Sequence, residues 1–220
     1  AFEALIAGLE GIGKGESAQA LPITSYLLRM GRFRKVLLEH FHQPYGSGRI
    51  CRTIDLLAAY VTHFSRPDFE NSVEMLVLSN EEKGHLMNLY EHRMDLYDLP
   101  VRLERRQIYR FFKEASIDQC FLWLSDLFRL PATEHSTQSW LDALEKCEQL
   151  VEAWAEKPEL LSPTPLLNGK DLMLYFDLPP GKLLGALLEA LPEEQAAGTI
   201  TSREEALQWV ENHLPPRGLS

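Results

Sequence analysis

Apolar residues recur at helical spacing in one segment after another, and this periodicity restricts the possible fold more than any other feature of the sequence. No alternating strand pattern of useful length and no repeat of fixed period accompanies it. The segments are 23–41, 52–64, 69–76, 79–94, 101–114, 117–130, 137–156, 168–176, 182–190 and 201–213. The pattern predicts an all-α fold, with a helical body at residues 1–130 and a small helical tail at residues 131–220.

Two of these segments open with residues that favour a helix start. Ser79 is followed three residues later by Glu82, and Thr201 is followed by Glu204 at the same spacing. This spacing is typical of a capping box, in which the two side chains satisfy amides of the first turn. Pro131 is expected to end the helix that precedes it.

The charge is unevenly distributed and limits the partners that the chain can have. Residues 1–130 hold 16 Lys and Arg against 17 Asp and Glu, whereas residues 131–220 hold 6 against 15, for a net charge of −10. An acidic chain is a poor non-specific ligand of nucleic acid, because phosphate contact depends on Lys and Arg. Any RNA contact therefore needs a local basic patch, which we expect in the first part.

The longest nearly unbroken apolar run is about eight residues, whereas a membrane-spanning helix needs about 20. The sequence also opens without a basic region followed by an apolar stretch, so no secretory signal is expected. These features predict a cytoplasmic protein without membrane contact.

Sequence motifs of catalysis or metal binding are absent. The three cysteines are far apart and form no CxxC pair, which predicts buried free thiols. The glycine-rich stretch 8–15 lacks the hydroxyl residue of a phosphate-binding loop, so we interpret it as a plain loop. We therefore predict no catalytic residue and no metal site in this chain.

One helix looks like the segment that carries the His-Asp pair of HD-type phosphohydrolases. Thr62 and His63 stand where that pair would be. Because threonine is a poor ligand and the carboxylate is missing, the segment predicts an HD-like scaffold that has lost its metal site. An HD-derived, metal-dependent phosphohydrolase remains an alternative.

The segment 101–114 carries a basic stripe. At 100° per residue its five cations fall within an arc of about 140°, and apolar residues occupy the opposite side. The cations are Arg102, Arg105, Arg106, Arg110 and Lys113. Such a stripe can follow an RNA backbone; the alternative is a solvated face with local ion pairs to Glu104 or Glu114.

A turn in the tail offers a second anion-binding possibility. Pro179, Pro180 and Gly181 lead into a helix that begins near Lys182, which places free amides beside a lysine. A simple tight turn between two helices is the alternative.

The tail resembles the C-terminal region of bacterial class II tRNA nucleotidyltransferases and poly(A) polymerases. The blocks that carry the resemblance are 165–172 (PLLNGKDL), 178–185 (LPPGKLLG) and 198–206 (GTITSREEA). A fainter similarity covers most of residues 50–130, where Leu78–Glu82 and Glu91–His92 look like the helical body of that family.

The resemblance implies an enzyme that adds nucleotides to RNA 3′ ends by means of an N-terminal catalytic head. That head would bind Mg²⁺ and CTP or ATP through a glycine-serine motif and paired aspartates, and this sequence shows no such motif. The chain is therefore expected to bind tRNA or another RNA, with the head of the same polypeptide as its other partner. The implied contacts are the basic stripe, with Lys170, Gly181 and Lys182 as secondary contacts.

A protein-interaction or dimerisation module is the remaining alternative. The acidic tail is the feature that favours it, and a homodimer is one form that it could take.

Overall fold

The computed structural model describes residues 29–46, 48–129 and 137–214, and within these ranges the fold is all-α, as predicted. A 3-10 turn at Gly31–Phe33 leads into the α-helix that begins at Arg34. The α-helices are α1 Arg34–His42, α2 Cys51–Val61, α3 Arg66–Met75, α4 Asn80–Glu91, α5 Asp95–Asp98, α6 Arg105–Glu114, α7 Asp118–Arg129, α8 Thr137–Glu156, α9 Pro158–Leu161, α10 Gly169–Phe176, α11 Lys182–Ala197 and α12 Arg203–His213. The glycine-rich stretch 8–15 and Pro131 lie outside the described residues.

The chain divides into two compact units. The first comprises the described residues up to Leu103 together with Glu114–Glu156, and the second comprises Glu104–Lys113 with the described residues from Lys157 onward. The predicted boundary after residue 130 stays a prediction; in the first unit, α8 packs on α7.

Helix α2 is the centre of the first unit. It contacts α1, α4 and α7, and its buried face includes Ile54 and Ala58. The fully buried rings of Phe41 and Phe121, on two of the neighbouring helices, meet edge to face with their centroids 4.9 Å apart. This burial removes apolar surface from water and stabilises the unit.

A short antiparallel pair of strands connects α1 to α2. Strand β1 is Pro44–Tyr45 and β2 is Arg49–Ile50, with Pro44 opposite Ile50. The sequence did not predict this pair, because two residues per strand are too few to produce an alternating pattern. Gly46 begins the turn with a φ of +53°, a backbone conformation that L side chains rarely adopt.

The second unit has its own core. Its buried residues come from α10, α11, α12 and the segments that precede α10 and α12: Leu167, Leu172, Leu184, Leu187, Leu191, Ile200, Ala206 and Val210. Arg203 links α12 to α10 through an ion pair with Asp171 at 2.7 Å and a hydrogen bond to the carbonyl of Leu166.

One of the two predicted capping boxes forms at the predicted residues, and the other forms one residue later. Ser79 and Glu82 form the predicted capping box. In α12 the box is formed by Ser202 and Glu205, one residue later than predicted. Both pairs have the required spacing, and Thr201 instead donates its amide and hydroxyl to Glu205.

Helix α11 continues past the predicted end near residue 190 and includes Pro192. It ends at Gly198, whose φ of +82° is the left-handed conformation that commonly stops a helix. None of the described helices combines the length and the apolar character that crossing a bilayer requires.

Candidate functional site

Helix α6 does not include the first cation of the predicted basic stripe. Arg102 precedes the helix, which begins at Arg105. The backbone at this point is held by Gln149, whose side chain accepts from the amide of Leu103 and donates to the carbonyl of Val101. Placing Arg102 on the helix face was therefore wrong, because these side-chain hydrogen bonds replace helical ones.

The remaining cations of the stripe face α11 of the same unit. Arg106 forms a two-pronged contact with Glu194, with both N–O distances at 2.8 Å, and a longer one with Glu193. Arg110 donates to Glu193 at 2.6 Å, and Lys113 to Glu189 at 2.7 Å.

Arg105 donates to the carbonyl of Ala196 at 2.8 Å. Ile108, Phe111 and Ala115 are buried, as the amphipathic pattern predicts.

These ion pairs change the electrostatics of the stripe. A hydrogen bond from Arg110 is the main reason that the pKa of Glu193 is lowered, and a hydrogen bond from Lys113 likewise lowers the pKa of Glu189. The carboxylates are therefore ionised at neutral pH and neutralise the cations opposite. An RNA-binding role for the stripe stays a prediction, and the ion pairs count against a freely available phosphate-binding face.

The two lysines that were predicted as secondary RNA contacts, Lys170 and Lys182, are exposed. Lys170 lies in the first turn of α10 and Lys182 is the first residue of α11. Neither side chain has a hydrogen bond or ion pair with another described residue. Gly181 precedes α11 as its N-cap residue in extended conformation, so no capping side chain covers the amides that follow. The turn thus presents a cation and helix N-terminal amides, and anion binding there stays a prediction.

The first unit also contains a buried cluster of histidine, cysteine and aspartate that the sequence did not predict. We call it the His–Asp cluster, and it consists of His40 from α1, Cys51 and Asp55 from α2, His85 from α4, and Asp118 from α7. These residues are up to 78 positions apart, so no local spacing signals them. The one available signal was a carboxylate, Asp55, on a nearly all-apolar helix.

The carboxylates are the centre of the cluster. Asp118 accepts from His40 at 2.6 Å, and its other oxygen accepts from Ser116 and lies 3.6 Å from Nε2 of His85. Asp55 is 3.2 Å from the same His85 nitrogen. Asp55 is fully buried and Asp118 is 3% exposed.

The thiol of Cys51 lies between the two carboxylates. Its Sγ is 3.3 Å from Asp55, 3.9 Å from Asp118 and 3.6 Å from Nε2 of His40. Cys51 is a free, buried thiol, as predicted. Burial and the two nearby carboxylates raise its pKa.

Protons are shared unequally among the acidic and basic groups. Burial and the charge of Asp118 raise the pKa of Asp55 to about 7. Burial also opposes ionisation of Asp118, but hydrogen bonding and charge from His40, together with the charge of His85, outweigh it and lower its pKa. Burial disfavours the charged imidazole of His40, but Asp118 outweighs this effect and raises the pKa of His40.

The predicted HD-like position is separate from this cluster. Thr62 follows α2 at its C-terminal end and donates its hydroxyl to the carbonyl of Ala58, while His63 pairs with Asp126 at 3.1 Å. Cys51 and Asp55 are at the opposite end of α2.

Comparison with known proteins places these features in a family. A sequence model of the family described as tRNA nucleotidyltransferase domain 2 matches residues 54–210, more than half of the chain. A 64-residue stretch, 29% of the chain, is 38% identical to the A-adding tRNA nucleotidyltransferase of Deinococcus radiodurans.

That match spans 14% of the length of the Deinococcus protein. No solved structure matches the chain. The family match covers both compact units of the described structure and agrees with the resemblance in the tail. The chain therefore belongs to the tRNA nucleotidyltransferase domain 2 family.

Proposed function

We propose that this chain binds tRNA and positions it for a nucleotidyltransferase whose catalytic residues lie outside residues 1–220. The family match over residues 54–210 is the observation that carries the proposal. The catalytic glycine-serine motif and paired aspartates have no counterpart in the sequence. Mg²⁺ and the CTP or ATP substrate would accordingly bind to a head of the same polypeptide, in the cytoplasm.

The charge of the second unit supports contact with RNA. Residues 104–113 and 157–220 hold nine Lys and Arg against ten Asp and Glu, so this unit is nearly neutral although the whole chain is −10. Of the net charge of −9 on residues 131–220, −4 lies on α8, which belongs to the first unit, and residues 104–113 add a net charge of +3 to the second unit. Repulsion of phosphate by the second unit is therefore weak.

Lys170 and Lys182 are the residues of the second unit that are best placed to contact phosphate. Both are exposed and have no intramolecular partner among the described residues, so an ion pair with RNA would not have to replace an existing one. Contacts of this kind bind the backbone and carry little sequence information.

The test is tRNA binding by the 220-residue chain, measured as a function of salt concentration. The double variant Lys170→Glu, Lys182→Glu should weaken tRNA binding at least about tenfold. It should also reduce the slope of log affinity against log salt concentration by about two. Lys35→Glu is the control, because Lys35 is 91% exposed on α1 of the other unit. Because the double variant changes the charge by −4 and the control by −2, an equal loss of log affinity per unit of charge would show a net-charge effect. No tRNA binding by the wild-type chain would refute the proposed function.

A further inference from the structure

The His–Asp cluster contains more potential metal ligands than a structural hydrogen-bond network requires. Four helices contribute two imidazoles, two carboxylates and a thiol, and the ligand atoms within each of two groups of three lie within 4.8 Å of one another. His40, Cys51 and Asp118 form one group. Asp55, His85 and Asp118 form the other, so Asp118 is shared.

The first group has distances close to those of a zinc site. Tetrahedral zinc with ordinary bond lengths separates its ligand atoms by about 3.4–3.6 Å. Sγ of Cys51 is 3.6 Å from His40 and 3.9 Å from Asp118. Only the 2.6 Å hydrogen bond between His40 and Asp118 would have to lengthen, by about 0.8 Å.

The residues of the second group are placed to contact and orient the ligands of the first group. One oxygen of Asp118 faces His40 and Cys51, while the other accepts from Ser116 and lies beside His85. Asp55 in turn contacts both Cys51 and His85. Hydrogen bonds of this kind orient metal ligands and tune their affinity.

The surroundings suit a buried ion that can still exchange with solvent. The ring of Trp154 packs edge-on to His40 at 5.1 Å, and that of Tyr45 lies 4.9 Å from His85. The side chain of His40 is 19% exposed, whereas Cys51 is 3% exposed. The partial exposure of His40 thus gives an ion a route to the buried ligands.

We propose that His40, Cys51 and Asp118 bind one zinc ion. The thiol selects zinc over the hard cations Mg²⁺ and Ca²⁺, because thiolate is a soft ligand. Binding releases the thiol proton to solvent and places a divalent charge between two carboxylates that otherwise depend on the imidazoles for compensation. This site is independent of RNA contact and would hold α1, α2 and α7 together.

The test is zinc content of the 220-residue chain after removal of metal with a chelator, reloading with zinc and gel filtration. The wild type should retain one zinc per chain, and His40→Gln and Cys51→Ser should bind it at least about tenfold more weakly. Cys147→Ser is the matched control, because Cys147 is a buried thiol outside the cluster whose Sγ contacts the carbonyl of Cys120. This variant should retain zinc.

Cobalt binding provides a second measurement that needs no variant to fold. Co²⁺ bound to the wild type should give the near-ultraviolet charge-transfer absorption of a thiolate–cobalt bond, with an intensity that zinc abolishes by competition. A wild type that retains no zinc, zinc retention by Cys51→Ser, or cobalt bound without this absorption would each overturn the proposal and leave the cluster as a metal-free charge network.

Discussion

Glu82 carries a carboxylate into a fully buried position and connects three parts of the first unit. It accepts from the amide of Ser79 at 2.6 Å and from Nη1 of Arg49 with both oxygens at 2.9 Å. The turn at Gly46 packs so closely on it that a Cβ there would lie 2.9 Å from Cγ of Glu82. One side chain therefore caps α4, binds β2 and supports the strand turn.

Glu82→Gln should lower the free energy of unfolding by about 2 kcal/mol, because it leaves the guanidinium of Arg49 without its charged partner. Because the side chain of Arg49 is partly exposed, the expected loss of stability is smaller than for a fully buried ion pair. Glu81→Gln is the control, since Glu81 is exposed in the same first turn and should cost about 0.3 kcal/mol. Urea denaturation of both variants checks this, and equal losses would show that the ion pair contributes nothing.

Sequence reasoning at this scale identifies contacts between near neighbours. The capping box of Ser79 and Glu82 was predictable, because both partners lie within one turn. The pairing of Glu82 with Arg49, 33 residues earlier, was not. The same limit explains why the His–Asp cluster was missed: each of its members is unremarkable until the helices are packed.

Among the helices, α11 depends on two glycines with opposite roles: Gly185 lies within the helix, and Gly198 follows its last residue. Gly198 ends the helix with a φ of +82°, whereas Gly185 is exposed within the helix, with no atom within 4 Å of an added Cβ. Gly198→Ala should lower the free energy of unfolding by about 1 kcal/mol, because alanine resists the left-handed conformation.

Gly185→Ala should raise the free energy of unfolding by about 1 kcal/mol, because alanine loses less backbone freedom in a helix. Thermal and urea unfolding measure both changes, and the two variants serve as controls for each other. No loss of stability in Gly198→Ala would mean that the end of α11 is not set by Gly198, and a loss in Gly185→Ala would contradict the prediction for Gly185.

The ion pairs between α6 and α11 predict a stability that depends on pH. The folded-state pKa of Glu193 is lowered, chiefly by its hydrogen bond from Arg110. The ionised Glu193 therefore stabilises the folded state fully above the unfolded-state pKa of glutamate. This stabilisation is lost as the pH falls through the lower folded-state pKa.

Glu193→Gln should remove about 1 kcal/mol of stability at neutral pH and reduce the loss of stability on acidification. The free energy of unfolding measured at neutral and acidic pH checks this. Glu211→Gln, which changes an exposed glutamate of α12, should leave the pH dependence as in the wild type. An unchanged pH profile in Glu193→Gln would contradict the assignment.

The helical periodicity predicted most of these elements, including the two faces of α6. What it could not supply was the partner of each face. The basic side of α6 was interpreted as an RNA-binding or solvated surface, but its partners lie 76 to 91 residues further along the chain. A helix face looks the same in sequence whether water, RNA or another helix covers it.

For the whole molecule, the net charge of each part depends on where the chain is divided. Cutting the sequence after residue 130 places a net charge of −9 on the tail, whereas the structural division leaves the second unit nearly neutral. Part of its acidic charge is already compensated by α6, through Glu189, Glu193 and Glu194. The same carboxylates that neutralise the stripe would compete with RNA phosphate for it.

This competition gives a decisive experiment on the stripe. The triple variant Glu189→Gln, Glu193→Gln, Glu194→Gln should bind tRNA about tenfold more tightly than the wild type at low salt, because three cations lose their internal partners. The control variant Glu70→Gln, Glu74→Gln, Glu81→Gln changes the net charge equally on α3 and α4 of the first unit. Tighter binding confined to the α11 variant would assign phosphate contacts to Arg106, Arg110 and Lys113. Equal gains in both variants would reflect net charge alone, and the RNA-binding surface would then be sought around Lys170 and Lys182.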